Sequence, residues 1–390
     1  MSTPSNSFRQ LFMLDPSIHF LNHGSFGACP IPVFTEYQNW QKKLENQPVK
    51  FLARDFAMYD QVTRLHLSEY LHSASSNLSF IQNATQGVNI IARSLKLQSN
   101  DEILSTDHEY GACEYAWEFA CQQTGAHYIK HKIPLPAKSE QELFDQFWQG
   151  VSARTKVIYL SHITSPTALC FPLKTICAKA RNLGILTVVD GAHAPGQIPL
   201  DLDDLSPDFY VGNCHKWMLG PKGAGFLYAR PEVQEMIQPL VVSWGYHAST
   251  DSTTGSQFLD FLQWTGTRDP SAVFSIPAAI KFMQDYDWPT VQSQCHALLT
   301  QAIDQICDLT QLESLYPFGS NLYHQMGVAP LPKWVDLDDL KSKLYSEFKV
   351  EVPLIEWNNR KLVRISIQAY NTQEDCDALL QGRSYLLSSQ

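Results

Sequence analysis

The segment from Leu186 to Arg230, LTVVDGAHAPGQIPLDLDDLSPDFYVGNCHKWMLGPKGAGFLYAR, restricts the chain more than any other. Ile185 to Val189 is an apolar run of the kind that forms a buried strand, and it ends on Asp190. After a polar link, Phe209-Tyr-Val211 reads as a second short strand. It delivers His215-Lys216-Trp217 to the glycine-rich turn Gly220-Pro-Lys-Gly223-Ala-Gly225. A carboxylate and an amine thus stand just beyond the C-terminal ends of two strands. In an open α/β sheet that edge is where ligands bind.

The pair has a chemical logic. A lysine amine forms a Schiff base with a carbonyl, and pyridoxal 5'-phosphate (PLP) combines such a lysine with a carboxylate at its ring nitrogen. An ionised acid beside that nitrogen favours the protonated ring. Asp190 suits the acid role and Lys216 the amine role. Taken singly, each has a plainer reading as a turn-capping Asp or a solvated Lys. The local array of Asp, His, Lys, Trp and glycines favours the cofactor.

The stretch resembles the class V group of fold-type I PLP enzymes. Gly212-Asn-Cys-His-Lys-Trp217 and Gly220-Pro-Lys-Gly223 are most similar to isopenicillin N epimerase-like proteins. The resemblance implies an α/β fold: a large domain with a mainly parallel seven-stranded sheet flanked by helices, plus a small C-terminal α/β domain. The expected division is an N-terminal segment near the active site (1–50), the large domain (51–284) and the small domain (285–390). It also implies a homodimer whose neighbouring subunit reaches the cofactor phosphate through Thr267, in Trp264-Thr-Gly-Thr-Arg-Asp269.

Composition excludes several other classes. A formal net charge of −10 without any basic run argues against a nucleic-acid partner. No run of 18 apolar residues is available to span a membrane. Nine scattered cysteines without a CxxC pair suggest neither a zinc ribbon nor a disulfide framework. The start, MSTPSNSFRQLFMLDPS, lacks the apolar core of a signal peptide, so a cytoplasmic location is expected. Despite 13 histidines there is no HExxH spacing, and no metal is expected.

Along the chain, Phe20-Leu-Asn22-His23-Gly-Ser-Phe-Gly27 is a tight loop before a helix from Pro32 to about Asn46. By resemblance Asn22 and His23 line the substrate pocket; Arg54 is a further carboxylate binder or a surface ion-pair residue. Leu78 to Gln82 reads as a strand and Gly87 to Leu95 as a helix. The link between them presents free backbone N–H groups to an anion, which makes Ala84 and Thr85 a phosphate seat. The strand Glu102–Ser105 leads to His108 and Tyr110, one of which is expected to stack on the cofactor ring, with His108 preferred. Ser165 and His193 occupy positions that in relatives contact the phenolic oxygen, and His215 is expected on the phosphate. Further on, the spacing predicts helices over 291–309, 337–348 and 372–387. Strands 349–354 and 361–367 form a hairpin about Asn358-Asn359. Arg364 in that hairpin is an internal ion pair or, as the resemblance implies, the seat of the substrate carboxylate.

No cysteine lies between Leu337 and Val363, where desulfurase relatives carry a nucleophile, so persulfide formation is not expected. The leading expectation is Cα–H cleavage of a small amino-acid substrate, with Lys216 as base and His108 or Tyr110 as the second acid. Elimination of a sulfur leaving group and transamination are alternatives, followed by a non-catalytic PLP-binding homologue.

Overall fold

The computed structural model describes residues 8–247 and 254–382. Seven strands form the main sheet: β1 (Leu78–Ile81), β2 (Glu102–Thr106), β3 (His127–His131), β4 (Thr155–Ser161), β5 (Leu186–Gly191), β6 (Phe209–Asn213) and β7 (Gly225–Ala229). Their order is β1-β7-β6-β5-β4-β2-β3. The pairings β2–β3, β2–β4, β4–β5 and β5–β6 are parallel, and β7 runs against both of its neighbours. The expected mainly parallel seven-stranded α/β sheet is therefore present.

Helices cover both faces of this sheet, which explains why its central strands carry apolar residues at successive positions. Along β4 and β5, Val157, Tyr159 and Val188 join one buried cluster while Ile158, Leu160 and Val189 join the other, as strand alternation requires. The helices that matter for the site are α1 (Ile31–Asn46), α2 (Ala84–Ser94), α3 (Gly111–Thr124), α4 (Leu173–Asn182), α5 (Trp288–Thr310), α6 (Leu337–Phe348) and α7 (Gln373–Gln381). α2 begins three residues before its expected start because Asn83 caps it, accepting the Gln86 N–H at 2.9 Å. α7 opens with a capping box between Thr372 and Asp375; the expected continuation from 383 to 387 lies outside the described residues.

A second sheet of three antiparallel strands has the order β9-β10-β8, from β8 (Met326–Leu331), β9 (Leu354–Trp357) and β10 (Arg360–Ser366). The predicted strand over 349–354 divides here. Val350–Glu351 pairs with His19–Phe20, and pairing with β10 resumes only at Leu354. Pro353 lacks the N–H needed to continue a ladder. The hairpin turn docks on the large sheet: Trp357 Nε1 donates to Asp107 O at 2.7 Å and Arg360 to Leu135 O at 2.8 Å.

The N-terminal segment is anchored from both sides. His19 and Arg9 meet the buried Asp375 carboxylate of α7 at 2.7 and 3.4 Å. Gly27 passes so close to the main sheet's edge that a Cβ there would stand 2.1 Å from His215 O and 3.0 Å from Lys216 Cα, and its φ is +70°. Only glycine meets both demands. Gly27→Ala is expected to lower the unfolding free energy by about 1–3 kcal/mol, read as a lower urea midpoint at unchanged m-value.

Candidate active site

The edge formed by the ends of β1, β4, β5 and β6 carries the candidate groups. Asp190, near the end of β5, is 3% exposed. Its Oδ1 accepts the Ala192 N–H at 2.9 Å, and its Oδ2 accepts the Tyr159 hydroxyl at 3.2 Å and the Cys113 thiol at 3.5 Å. All three donors are neutral. Burial pushes its pKa up; the Ala192 N–H, Lys216 and the two side-chain donors oppose that. Tyr159 reaches it diagonally, since Ser161 is the residue paired with Asp190 across β4 and β5.

Lys216 follows β6. Its Nζ lies 3.2 Å from His193 Nε2. Burial lowers its pKa to about 8; Asp190 works against this and Arg364 adds to it. The backbone at this residue is pinned from the N-terminal segment, where His23 Nε2 meets Lys216 O at 3.0 Å. Since a carbonyl only accepts, that ring nitrogen is the protonated one, and Nδ1 at 2.9 Å accepts from the Tyr370 hydroxyl. His23 is fully buried and both ring nitrogens are engaged, so the structure makes it a support for Lys216 and not a pocket-lining group. Asn22 is likewise engaged, donating to Glu351 at 3.2 Å and accepting from Ser25 at 2.5 Å.

Arg364 arrives from β10 and is 5% exposed. Nη1 donates to Ser165 O at 2.7 Å and Ser165 Oγ at 3.1 Å, and Nη2 to Ser25 Oγ at 3.0 Å. Its buried Nε has no partner. These acceptors are all neutral, and burial lowers the guanidinium pKa to about 10. The internal ion pair considered from the sequence is not formed among the described residues. Ser165, expected near a phenolic oxygen, belongs to this arginine cradle.

The N-terminus of α2 lies beside β6. The Ala84 N–H is already donated to Asn213 Oδ1 at 2.8 Å, so of the two expected amides only Thr85's stays available. Asn213 itself is drawn into the seat, and its amide N–H₂ can serve an anion there. His215 Nδ1 is held by Ala224 O at 3.2 Å and leaves Nε2 free. Burial lowers its pKa to about 4, and a bound phosphate would oppose that.

His108 differs from the expectation. It is fully buried, its Nδ1 meets Thr167 Oγ1 at 2.7 Å and its Nε2 meets Ile133 O at 2.8 Å, while Trp357 covers the ring at 4.3 Å between centroids. Neither ring nitrogen is free for a reacting proton. Tyr110 stands at the N-cap position of α3, three residues before Cys113, and is 48% exposed. Thr267 is exposed on its loop, and Arg54 is exposed in the turn before the helix Phe56–Tyr70. A surface groove of about 1430 Å³ lies between Tyr70, Ile198, Lys281 and Trp288 and takes no side chain from the cluster around Lys216.

Cys113, Tyr159 and Ser25 are site residues to which sequence reasoning gives no role, and Tyr159 leaves a trace only as a polar-tipped residue within the apolar run of β4. Asn213 and Trp217 stand in the motif read from the sequence, but without the contacts seen here. Among the described residues no cation pairs with Asp190 and no carboxylate with Arg364, and the site offers Lys216 as an amine. PLP carrying an amino acid supplies a ring nitrogen for the first and a carboxylate for the second, so the residues present fit the cofactor.

This sheet and edge chemistry define a fold-type I PLP-dependent enzyme. The chain belongs to the class V aminotransferase family, whose model (Aminotransferase class-V) matches residues 32–379. It is 31% identical over 384 residues to isopenicillin N epimerase of Amycolatopsis lactamdurans, covering 96% of each chain. It is 24% identical to a probable chloroplastic L-cysteine desulfhydrase of Arabidopsis thaliana, covering 93% of this chain and 81% of that one. In fold it matches a C-DES mutant with glycine covalently linked to the PLP cofactor, with a TM-score of 0.81 at 20% identity, over 96% of this chain and 98% of that one.

The buried histidines predict an acid limit. Burial lowers the His23 pKa to about 3 in the folded chain, against about 6.5 when unfolded. The unfolded state therefore takes up the proton first, and the contribution of His23 is present above about pH 6.5 and lost as pH falls toward 3. Glu109 and Asp60, raised to about 8 and about 6 by burial, act in the opposite sense. His23→Gln is expected to flatten the dependence of unfolding free energy on pH by about 1.4 kcal/mol per unit between about pH 4 and 6, measured by urea titrations at several pH values.

Proposed function

We propose that the protein abstracts the α-proton of an amino acid and returns a proton to the same carbon, an epimerase-type reaction. The observation that carries the first half of this reading, removal of the α-proton, is the pair of buried charged groups Asp190 and Arg364, neither in an ion pair among the described residues, within electrostatic reach of one lysine of lowered pKa. PLP, when bound, supplies the electron sink that makes the α-proton acidic.

The chain's own residues then divide the work. Arg364 holds the substrate carboxylate, with Ser25 and Ser165 fixing its fork. Asp190 would meet the cofactor ring nitrogen, and the Thr85 amide, Asn213 and His215 would hold its phosphate. His193, beside Lys216, would serve the phenolic oxygen. Lys216, whose pKa of about 8 suits a base near neutral pH, takes the α-proton. Tyr110 is assigned in place of His108 both to ring stacking and to the second acid, because it is exposed while His108 has no free nitrogen.

Similarity to the epimerase at 31% identity supports this outcome over the rival one, β-elimination, which the desulfhydrase relative suggests. Transamination is third. All nine cysteines are free, which agrees with a reducing, cytoplasmic setting, and no helix among the described residues is long and apolar enough to cross a membrane. A homodimer in which the exposed Thr267 reaches the neighbour's phosphate completes the proposal.

Purified protein is expected to absorb in the visible and to retain its cofactor covalently after borohydride, with retention lost in Lys216→Ala. In heavy water, candidate amino acids are expected to gain α-deuterium without release of pyruvate, ammonia or keto acid. Stoichiometric pyruvate and ammonia would assign the lyase reaction instead. Arg364→Ala is expected to lower kcat/KM about a hundredfold or more, mainly through KM.

A further inference from the structure

Trp217 is fully buried, and its indole N–H points at His193 Nδ1 across 3.3 Å. An indole nitrogen can only donate. The Nδ1 of His193 must therefore accept, which places the ring's proton on Nε2. That nitrogen is the one 3.2 Å from Lys216 Nζ. With a donor facing it, the lysine nitrogen has to accept, and only the free amine can.

We propose that Trp217 is a positioning residue that fixes the tautomer of His193 and thereby holds Lys216 as the unprotonated amine. The opposite arrangement is penalised by the same geometry. An ammonium at Lys216 would need an acceptor at Nε2, moving the ring proton to Nδ1, where it would confront the indole N–H. A doubly protonated imidazole would meet a donor on the indole side and, if the lysine were charged, a second on the other.

The surrounding groups favour the same state. Burial holds His193 well below its ordinary pKa, and a charge on Lys216, Arg364, His215 or His23 acts in that direction too, although His215 and His23 are themselves neutral near pH 7. The two partners are supported from behind: Gln197 Nε2 donates to the His193 backbone carbonyl at 2.6 Å, and the His23 ring packs on Trp217 at 4.9 Å between centroids. Asp190 and, to a smaller extent, Cys113 favour the ammonium form, and the Asp190 carboxylate already receives three neutral donors, the Cys113 thiol among them.

The inference rests on the reading of Lys216 as the reactive amine, but its first test does not. Long-range ¹⁵N–¹H correlation of histidine-labelled protein, with PLP bound and after its removal, reads the tautomer directly. The His193 resonance is identified by its loss in His193→Gln. The expected result is a proton on Nε2 in both forms; a proton on Nδ1 in the wild type overturns the proposal.

The second readout is the pH dependence of imine formation when PLP is added to the cofactor-free protein. The wild type is expected to show a midpoint near 8. In Trp217→Phe the midpoint should rise by one unit or more, with about a tenfold slower reaction at neutral pH. An unchanged midpoint in a folded Trp217→Phe protein overturns the proposal. If that variant does not fold, the wild-type tautomer decides alone. Absence of any imine in the wild type would instead reject the assignment of Lys216.

Discussion

The structure depends on two buried charged groups, Asp190 and Arg364, that form no ion pair among the described residues. Asp190 is satisfied only by neutral donors and Arg364 only by neutral acceptors. An uncompensated buried charge costs several kcal/mol, and a fold keeps one only where packing elsewhere over-determines the site. Asp190 lies at the end of a strand with a neighbour on each side, and Arg364 lies inside an antiparallel ladder between β9 and β8. Neither can retreat to water. Under the proposed function, PLP carrying an amino acid would relieve both costs at once, its ring nitrogen at Asp190 and its carboxylate at Arg364, so part of the affinity for that ligand would be stored in the scaffold itself.

Holding such a site requires contacts that sequence distance hides. The N-terminal loop supplies Ser25 to the arginine and His23 to the lysine carbonyl, spans of 339 and 193 residues. That loop is itself held by a short parallel pairing to Val350–Glu351 and by Asp375. The hairpin of the small sheet closes the circuit by docking the end of β9, through Trp357, onto Asp107 shortly before the start of α3. Arginine thus reaches the lysine and aspartate, which follow neighbouring strands of one sheet, through contacts between pieces of chain far apart in sequence.

Much of the fold was legible because its signals are local. The buried run before Asp190, the strand-to-helix passage at Asn83 and the turn after Lys216 each declare themselves within a few residues. Hydrogen-bond occupancy is not local. His108 and His23 carry the residue type expected of functional histidines, yet their nitrogens are taken by Thr167, Ile133, Tyr370 and the Lys216 carbonyl. Nothing near them in sequence announces these partners. Tyr159 is obscured for the opposite reason: an aromatic residue in a strand reads as core, and only the register of β4 against β5 aims its hydroxyl at Asp190. Ala84 reads as an anion donor from its place at a helix start, whereas its amide is spent on Asn213 from a distant strand.

The proposed epimerase reaction and its lyase rival make the same demand on this scaffold up to removal of the α-proton. Arg364 and Asp190 serve both alike, so neither residue can separate them. The distinction has to come from what meets the carbanionic carbon next: a proton donor, or a substrate bond able to break. Lys216 returns a proton to the face it took one from, which regenerates the starting configuration. Inversion therefore requires a second donor that is free of the protein's own hydrogen bonds. His108 fails that requirement and Tyr110 meets it, exposed at the start of the helix whose first turn also carries Cys113 to Asp190. The choice between the two reactions thus reduces to whether a phenol on that helix can deliver a proton before a leaving group departs.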